Sequence, residues 1–171
     1  MPEIILTSLN AKHIHASLGL RYLYANMGEL QNRTEIQEYT LEPWPIDIAE
    51  QLLATKPRII GLGVYIWNTE RSQQLVAILK TISPETLIII GGPEVSHEWQ
   101  DQAIFHQADY LVTGQGDLAF AQLCQQLLKG ERPINKVVQA PTPPLDALQL
   151  PYDYYSEEDI KHRLVYVEAS R

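Results

Sequence analysis

Cysteine is almost missing from this chain, with Cys124 the single example in 171 residues. A lone thiol excludes a disulfide framework and any metal site built from cysteines. Positive charge is also scarce. Lys and Arg number 13 against 21 Asp and Glu, a net charge of −8, and no basic run occurs. A nucleic-acid partner would need a patch of such side chains for its phosphates, so none is expected. No apolar run approaches the length of about 20 residues that spans a bilayer, so no membrane-spanning segment is expected. Residues 1–10 show neither the basic start nor the small-residue cleavage site of a secretory signal. The expected compartment is the cytoplasm. No nucleophile, base and orienting group can be assembled from the residue order, so covalent chemistry by this chain alone is not expected.

What is present reads as one globular domain, 45% apolar and 20% charged, long enough to bury a proper core. The organising stretch is 58–68, Arg-Ile-Ile-Gly-Leu-Gly-Val-Tyr-Ile-Trp-Asn. Its β-branched first half suits a strand buried on both faces of a parallel sheet. Further strands are expected at 4–9, 35–39, 87–90 and 110–112, with an edge strand at 136–139. Helices are expected at 17–30, 47–55, from 68 or 69 to 82, from 96 to about 106, and from 117 to 130. The helix after residue 68 should bury Leu75, Ile78, Leu79 and Ile82, which follow the 3.6-residue period. Ser17, Ser96 and Asp117 are the expected caps. Strands and helices alternating at these lengths predict an α/β fold: a flavodoxin-like (Rossmann-like) doubly wound parallel sheet, order 2-1-3-4-5, between two helical layers. Residues 140–160 form a linker marked by Pro141, Pro143, Pro144 and Pro151, and 161–171 hold a strand-like run.

Ligands of such sheets bind outside the carboxyl ends of the strands, at the switch point between strands one and three. Asn10 and its loop, Tyr65, Trp67 and Asn68, and Gly91-Gly92-Pro93-Glu94 meet there. Tyr65 and Trp67 offer a flat apolar platform, and the glycines let backbone approach a ligand. Packing under a loop and ordinary βα-turn preference account for the same residues equally well. The run Gly114-Gln115-Gly116-Asp117-Leu118-Ala119 matches a dinucleotide fingerprint, but the next strand ends Val138-Gln139-Ala140 without the acid that fingerprint needs. His13 and His15 stand two apart with no carboxylate or cysteine to complete a chelate.

Taken together, Leu18-Gly19-Leu20, Gly63 to Asn68, Gly91 to Glu94 and Asp109 to Asp117 resemble the N-terminal cobalamin-binding domain of cobalamin-dependent radical S-adenosylmethionine proteins. That group includes the anaerobic Mg-protoporphyrin monomethyl ester oxidative cyclase and many methyltransferases. The resemblance implies cobalamin as cofactor, contacted by Asn10, His15, Ser17, Tyr65, Trp67, Asn68, Gly91, Gly92, Pro93, Glu94, Gly114 and Gly116. Related domains outside the radical group place a cobalt-ligating His where Ala16 stands, so no lower ligand is implied there; His15 or His13 is the alternative lower cobalt ligand. Gln115 stands where the family usually has Glu. Residues 1–139 would be the cobalamin domain and 161–171 the first strand of a radical S-adenosylmethionine barrel, cut before its three cysteines. The whole enzyme would then also carry a 4Fe-4S cluster and S-adenosylmethionine, with the chain's own C-terminal barrel as partner and methyl transfer or oxidative cyclisation as reaction. The alternatives are a cofactor-free Rossmann-like interaction or sensor module and a nucleotide-binding enzyme domain.

Overall fold

The computed structural model describes residues 1–169. Strand β1 (Ile4–Asn10) is buried along its whole length, as befits a strand with helices over both faces. It pairs in parallel with β2 (Thr34–Thr40) on one side and β3 (Ile59–Gly63) on the other, Ile4 lying opposite both Thr34 and Ile59. β4 (Leu87–Gly91), β5 (Tyr110–Gly114) and β6 (Val137–Ala140) continue the sheet in the order β2-β1-β3-β4-β5-β6. The expected five-strand order holds, and the edge strand expected at 136–139 completes it.

Alternation along the strands splits the core in two. Ile4, Leu6, Ile59, Ile89 and Val112 face α1 (Leu18–Ala25) and α5 (Asp117–Leu128), meeting Leu20, Phe120, Cys124 and Leu127. Ile5, Leu9, Ile60, Leu62, Ile88 and Ile90 face α2 (Pro45–Leu53), α3 (Thr69–Ile82) and α4 (Ala103–Gln107), meeting Ile48, Leu52, Leu75, Leu79 and Ile104. Each such side chain contributes about 1.5–3 kcal/mol on burial. The Cys124 thiol is fully buried in the first of these layers, and burial pushes its pKa up.

Several element ends differ from expectation, each for a local reason. The first helix stops at Ala25 instead of residue 30. Asn26 turns its side-chain amide back onto Tyr22 O (2.8 Å), and Gly28 at φ +57° starts a 3-10 turn, Gly28–Arg33. The fourth helix is only Ala103–Gln107; Ser96 does not cap it, because its hydroxyl donates to Gly92 O (2.9 Å). Asp117 lies inside the first turn of α5, with Gly116 at the cap position. In α3 Ile82 is exposed, and Ser72 and Val76 join Leu75 and Leu79 on the buried face. Ser17 does cap α1, accepting from Leu20 N at 3.3 Å.

The segment after β6 holds two 3-10 turns and a helix not foreseen from its prolines, α6 (Glu157–His162). A capping box starts α6: Asp159 N donates to Ser156 Oγ (3.0 Å) and Ser156 N to Asp159 Oδ2 (2.9 Å). The strand-like run at 163–167 enters no ladder; Leu164 makes one parallel bridge with His15. Ser170 and Arg171, the end of the strand expected at 161–171, lie outside the described residues. Among the described residues no helix is long and apolar enough to cross a membrane.

Candidate functional site

The loop after β1 leads to α1 on one face of the sheet, and the loop after β3 leads to α3 on the other. Two loops diverging from neighbouring strands leave a crevice between them. A cavity of about 340 Å³ opens there, lined by Asn10, Ala11, His15, Ala16, the start of α1 from Ser17 to Gly19, Tyr65, Trp67 and Tyr166. A second, of about 520 Å³, runs beside it over the ends of β3, β4 and β5. Gly63, Gly91, Gly92, Gly114 and Gly116 line this trough, with Pro93, Ser96, His97 and Glu168. Tyr65 borders both cavities.

Tyr65 and Trp67 stack face to face, centroids 4.6 Å apart and planes at 7°. Trp67 Nε1 donates to Leu9 O (3.1 Å), so the indole is anchored at its polar end while half its surface stays exposed. Burial raises the Tyr65 pKa against the opposing hydrogen bond with Ser17, keeping the phenol neutral. Asn68 lies fully buried beneath the pair. Its amide nitrogen donates to Leu9 O (3.1 Å) and Gly63 O (3.2 Å), and its oxygen accepts from Tyr65 N (2.8 Å). These bonds all run to backbone, so the side chain shapes the loop that carries Tyr65 and Trp67.

Gly92 has φ +114°, and a Cβ there would sit 2.4 Å from Val64 O. Only glycine fits that crossing between the ends of β3 and β4. Glu94, expected at the site, lines neither cavity; its backbone nitrogen donates to Val64 O (3.4 Å) and its carbonyl accepts from Gln102 (2.9 Å). Asn10 and Ser17 are joined through Glu38 of β2, which accepts from Asn10 Nδ2 (2.9 Å) and Ser17 N (2.6 Å). Burial works to raise the Glu38 pKa, but hydrogen bonds from Arg163, the charge of Arg21, and the Ser17 and Asn10 donors together hold it below the ordinary value.

His15 lines the first cavity with its Nδ1 hydrogen-bonded to the Tyr166 hydroxyl and its ring stacked on Tyr166 at 5.9 Å. His13 is exposed and lines neither cavity. Among the described residues no cluster of three His, Cys, Asp or Glu side chains could hold a metal ion. Tyr166 and Glu168 were not foreseen at the site; they come from the far end of the chain, and no local pattern points to them. Asp117 lies buried in the first turn of α5 and lines the second cavity.

The architecture is that of a doubly wound α/β domain with a crevice at the switch point of a parallel sheet. Within that class the chain belongs to the B12-binding domain family, whose model matches residues 5–124. A 2-(S-pantetheinyl)-carbapenam-3-carboxylate methyltransferase from Streptantibioticus cattleyicolor is 32% identical over 81 residues, 46% of this chain and 12% of that protein. The cobalamin-dependent radical SAM methyltransferase TokK of Streptomyces tokunonensis is 30% identical over 69 residues, 40% of this chain and 10% of TokK. The chain thus matches a small part of each of these longer relatives. Among solved structures, a cobalamin-binding protein from Desulfitobacterium hafniense DCB-2 superposes with a TM-score of 0.54 at 18% identity, covering 73% of this chain and 58% of that one. The cobalamin-dependent S-adenosylmethionine radical enzyme OxsB superposes with a TM-score of 0.56 at 17% identity, covering 78% of this chain and 19% of OxsB. At such identities the superpositions speak for the fold.

Proposed function

We propose that this chain binds cobalamin at the carboxyl edge of its sheet, as the cofactor module of a cobalamin-dependent radical S-adenosylmethionine enzyme. The observation that carries the reading is the glycine-lined trough over β3, β4 and β5 lying beside the stacked Tyr65–Trp67 pair, in a chain of the B12-binding family. A trough whose strand ends lack Cβ atoms admits a bulky nucleotide tail, and the aromatic pair offers apolar surface to a corrin edge. Gly91, Gly92, Pro93, Gly114 and Gly116 would hold the tail, and Tyr65, Trp67, Asn10, His15 and Ser17 would border the corrin. Asn68 would act from below by fixing the Tyr65–Trp67 loop. Ala16, 1% exposed beside His15, supplies no imidazole to the cobalt. Cobalamin supplies one-carbon transfer chemistry through its cobalt; these residues bind it, orient it and exclude water from its edge.

The whole protein would be cytoplasmic and would add a barrel carrying a 4Fe-4S cluster and S-adenosylmethionine. Methyl transfer is the reaction proposed for it, in line with the names of its two curated relatives, and oxidative cyclisation is the second possibility. The binding test uses the chain alone: mix it with hydroxocobalamin, remove free ligand by gel filtration and record the visible spectrum. A coloured protein peak is expected. Trp67→Ala should weaken binding by ~1–3 kcal/mol, the worth of a well-packed aromatic anchor. A colourless peak at saturating ligand overturns the proposal.

A further inference from the structure

Four ionised side chains lie buried together beneath the loop after β1. Arg21 of α1 pairs with Glu38 of β2 (3.0 Å) and with Asp159 of α6 (2.9 Å). Arg163, just past α6, pairs with the same two carboxylates, at 2.9 Å each. Their side chains are 4–11% exposed. Desolvation on this scale is costly, so the cluster persists only because each charge meets partners of opposite sign.

Arg163 does more than balance charge. Its Nε donates to His13 O (3.0 Å) and its Nη2 to His15 O (2.6 Å), while Nη1 serves the two carboxylates. Asn10 Nδ2 donates to the same His15 carbonyl (2.9 Å), and Leu164 N donates to Ile14 O (2.6 Å). Glu38, held by Arg163, in turn takes the Ser17 amide. The backbone at residues 13, 14, 15 and 17 is therefore fastened to this cluster and its neighbour Leu164. That loop forms one wall of the first cavity through His15, Ala16 and Ser17.

We propose that Arg163 is a positioning residue for the cofactor site. Lying outside residues 5–124 that match the family, it sets the conformation of the loop after β1 and with it the shape of the cavity. The segment from Ser156 to Tyr166 is then a working part of the site and not a passive linker. The planar guanidinium is essential, because three of its nitrogens reach two carbonyls and two carboxylates at once, which a lysine ammonium cannot do.

The test uses the full chain and two readouts: hydrogen exchange at the amides of residues 11–17, and hydroxocobalamin affinity, the second of which rests on the cobalamin reading. Arg163→Met should speed exchange at the Ser17 and His15 amides by about tenfold or more while β1, β3 and β4 keep their protection. Cobalamin affinity should fall by about tenfold, the effect of one such lost charged contact. Arg163→Lys should fail to rescue either readout, whereas Lys161→Ala on the exposed face of α6 should leave both as in the parent chain. If Arg163→Met does not fold, the same two readouts on Arg163→Lys decide the matter. Unchanged loop protection in the Arg163 variants overturns the proposal. A loosened loop with unchanged cobalamin affinity overturns it too, since the loop would not then shape the site. If the parent chain binds no cobalamin, the cofactor reading fails separately, and the exchange result still decides whether Arg163 positions the loop.

Discussion

The Asn68 side chain makes three hydrogen bonds, all to backbone, and so ties the end of β1 to the turn after β3. Leu9 O, at that end of β1, accepts from Asn68 and from Trp67 together. Asn68→Ala would leave the partly buried Gly63 carbonyl and Tyr65 amide without these partners, a loss of about 1–3 kcal/mol. The expected result is a lower urea midpoint with an unchanged slope, and an unchanged midpoint would show that water replaces the amide. The same change should release Trp67 from its stack on Tyr65 and alter tryptophan fluorescence. Residue types here mislead from sequence alone. An Asn before a helix reads as a cap, whereas this one serves the preceding turn and leaves α3 without a side-chain cap.

At the level of elements, α6 is held to the sheet by charge more than by apolar contact, since Asp159 is buried while Ile160 is exposed. Burial works to raise the Asp159 pKa, but the Ser156 amide, Arg163 and Arg21 hold it well below its ordinary value of 3.8. Glu38 is likewise held below 4.5. For carboxyls shifted this way the folded state binds fewer protons than the unfolded chain. Their contribution is complete above the ordinary values and is lost as the pH falls through the lowered ones. The α6 segment should therefore stay docked at about pH 5 and detach only below about pH 4, visible as loss of amide protection at residues 157–163. Glu38→Gln leaves Arg21 and Arg163 short of a counter-charge and should cost ~3 kcal/mol at neutral pH. The sheet was readable in advance because most of its strands, β1, β3 and β4 above all, are short apolar runs rich in Ile between turn signals. Helix α6 and its docking were not. The partners Arg21, Glu38, Asp159 and Arg163 are scattered over more than a hundred residues, and ordinary surface charges give the same local pattern. Tyr166 and Glu168 of the distal segment are hidden from sequence for the same reason, whereas Tyr65, Trp67 and the strand-end glycines stand out because topology alone brings them to one edge.

For the molecule as a whole, a ligand that binds only the folded form must raise its stability. Cobalamin at roughly 100 times its Kd should add about 2.7 kcal/mol, seen as a higher melting temperature that climbs with cofactor concentration. Free adenosine or nicotinamide nucleotides at the same concentration should give no shift; a shift with nucleotide and none with cobalamin would favour the nucleotide-binding alternative. The surface offers several apolar side chains near the crevice, among them Ile66 and Val167, both strongly exposed. Cys124, by contrast, is sealed between α5 and the sheet with its thiol kept protonated. Thiolate is the reactive form, so alkylating reagents should pass this residue by as long as the fold is intact. The chain is thus a natural blank for site-directed labelling: Ile66→Cys and Val167→Cys would place two probes beside Trp67 and Tyr166 of the cavity lining, with no native cysteine to remove first.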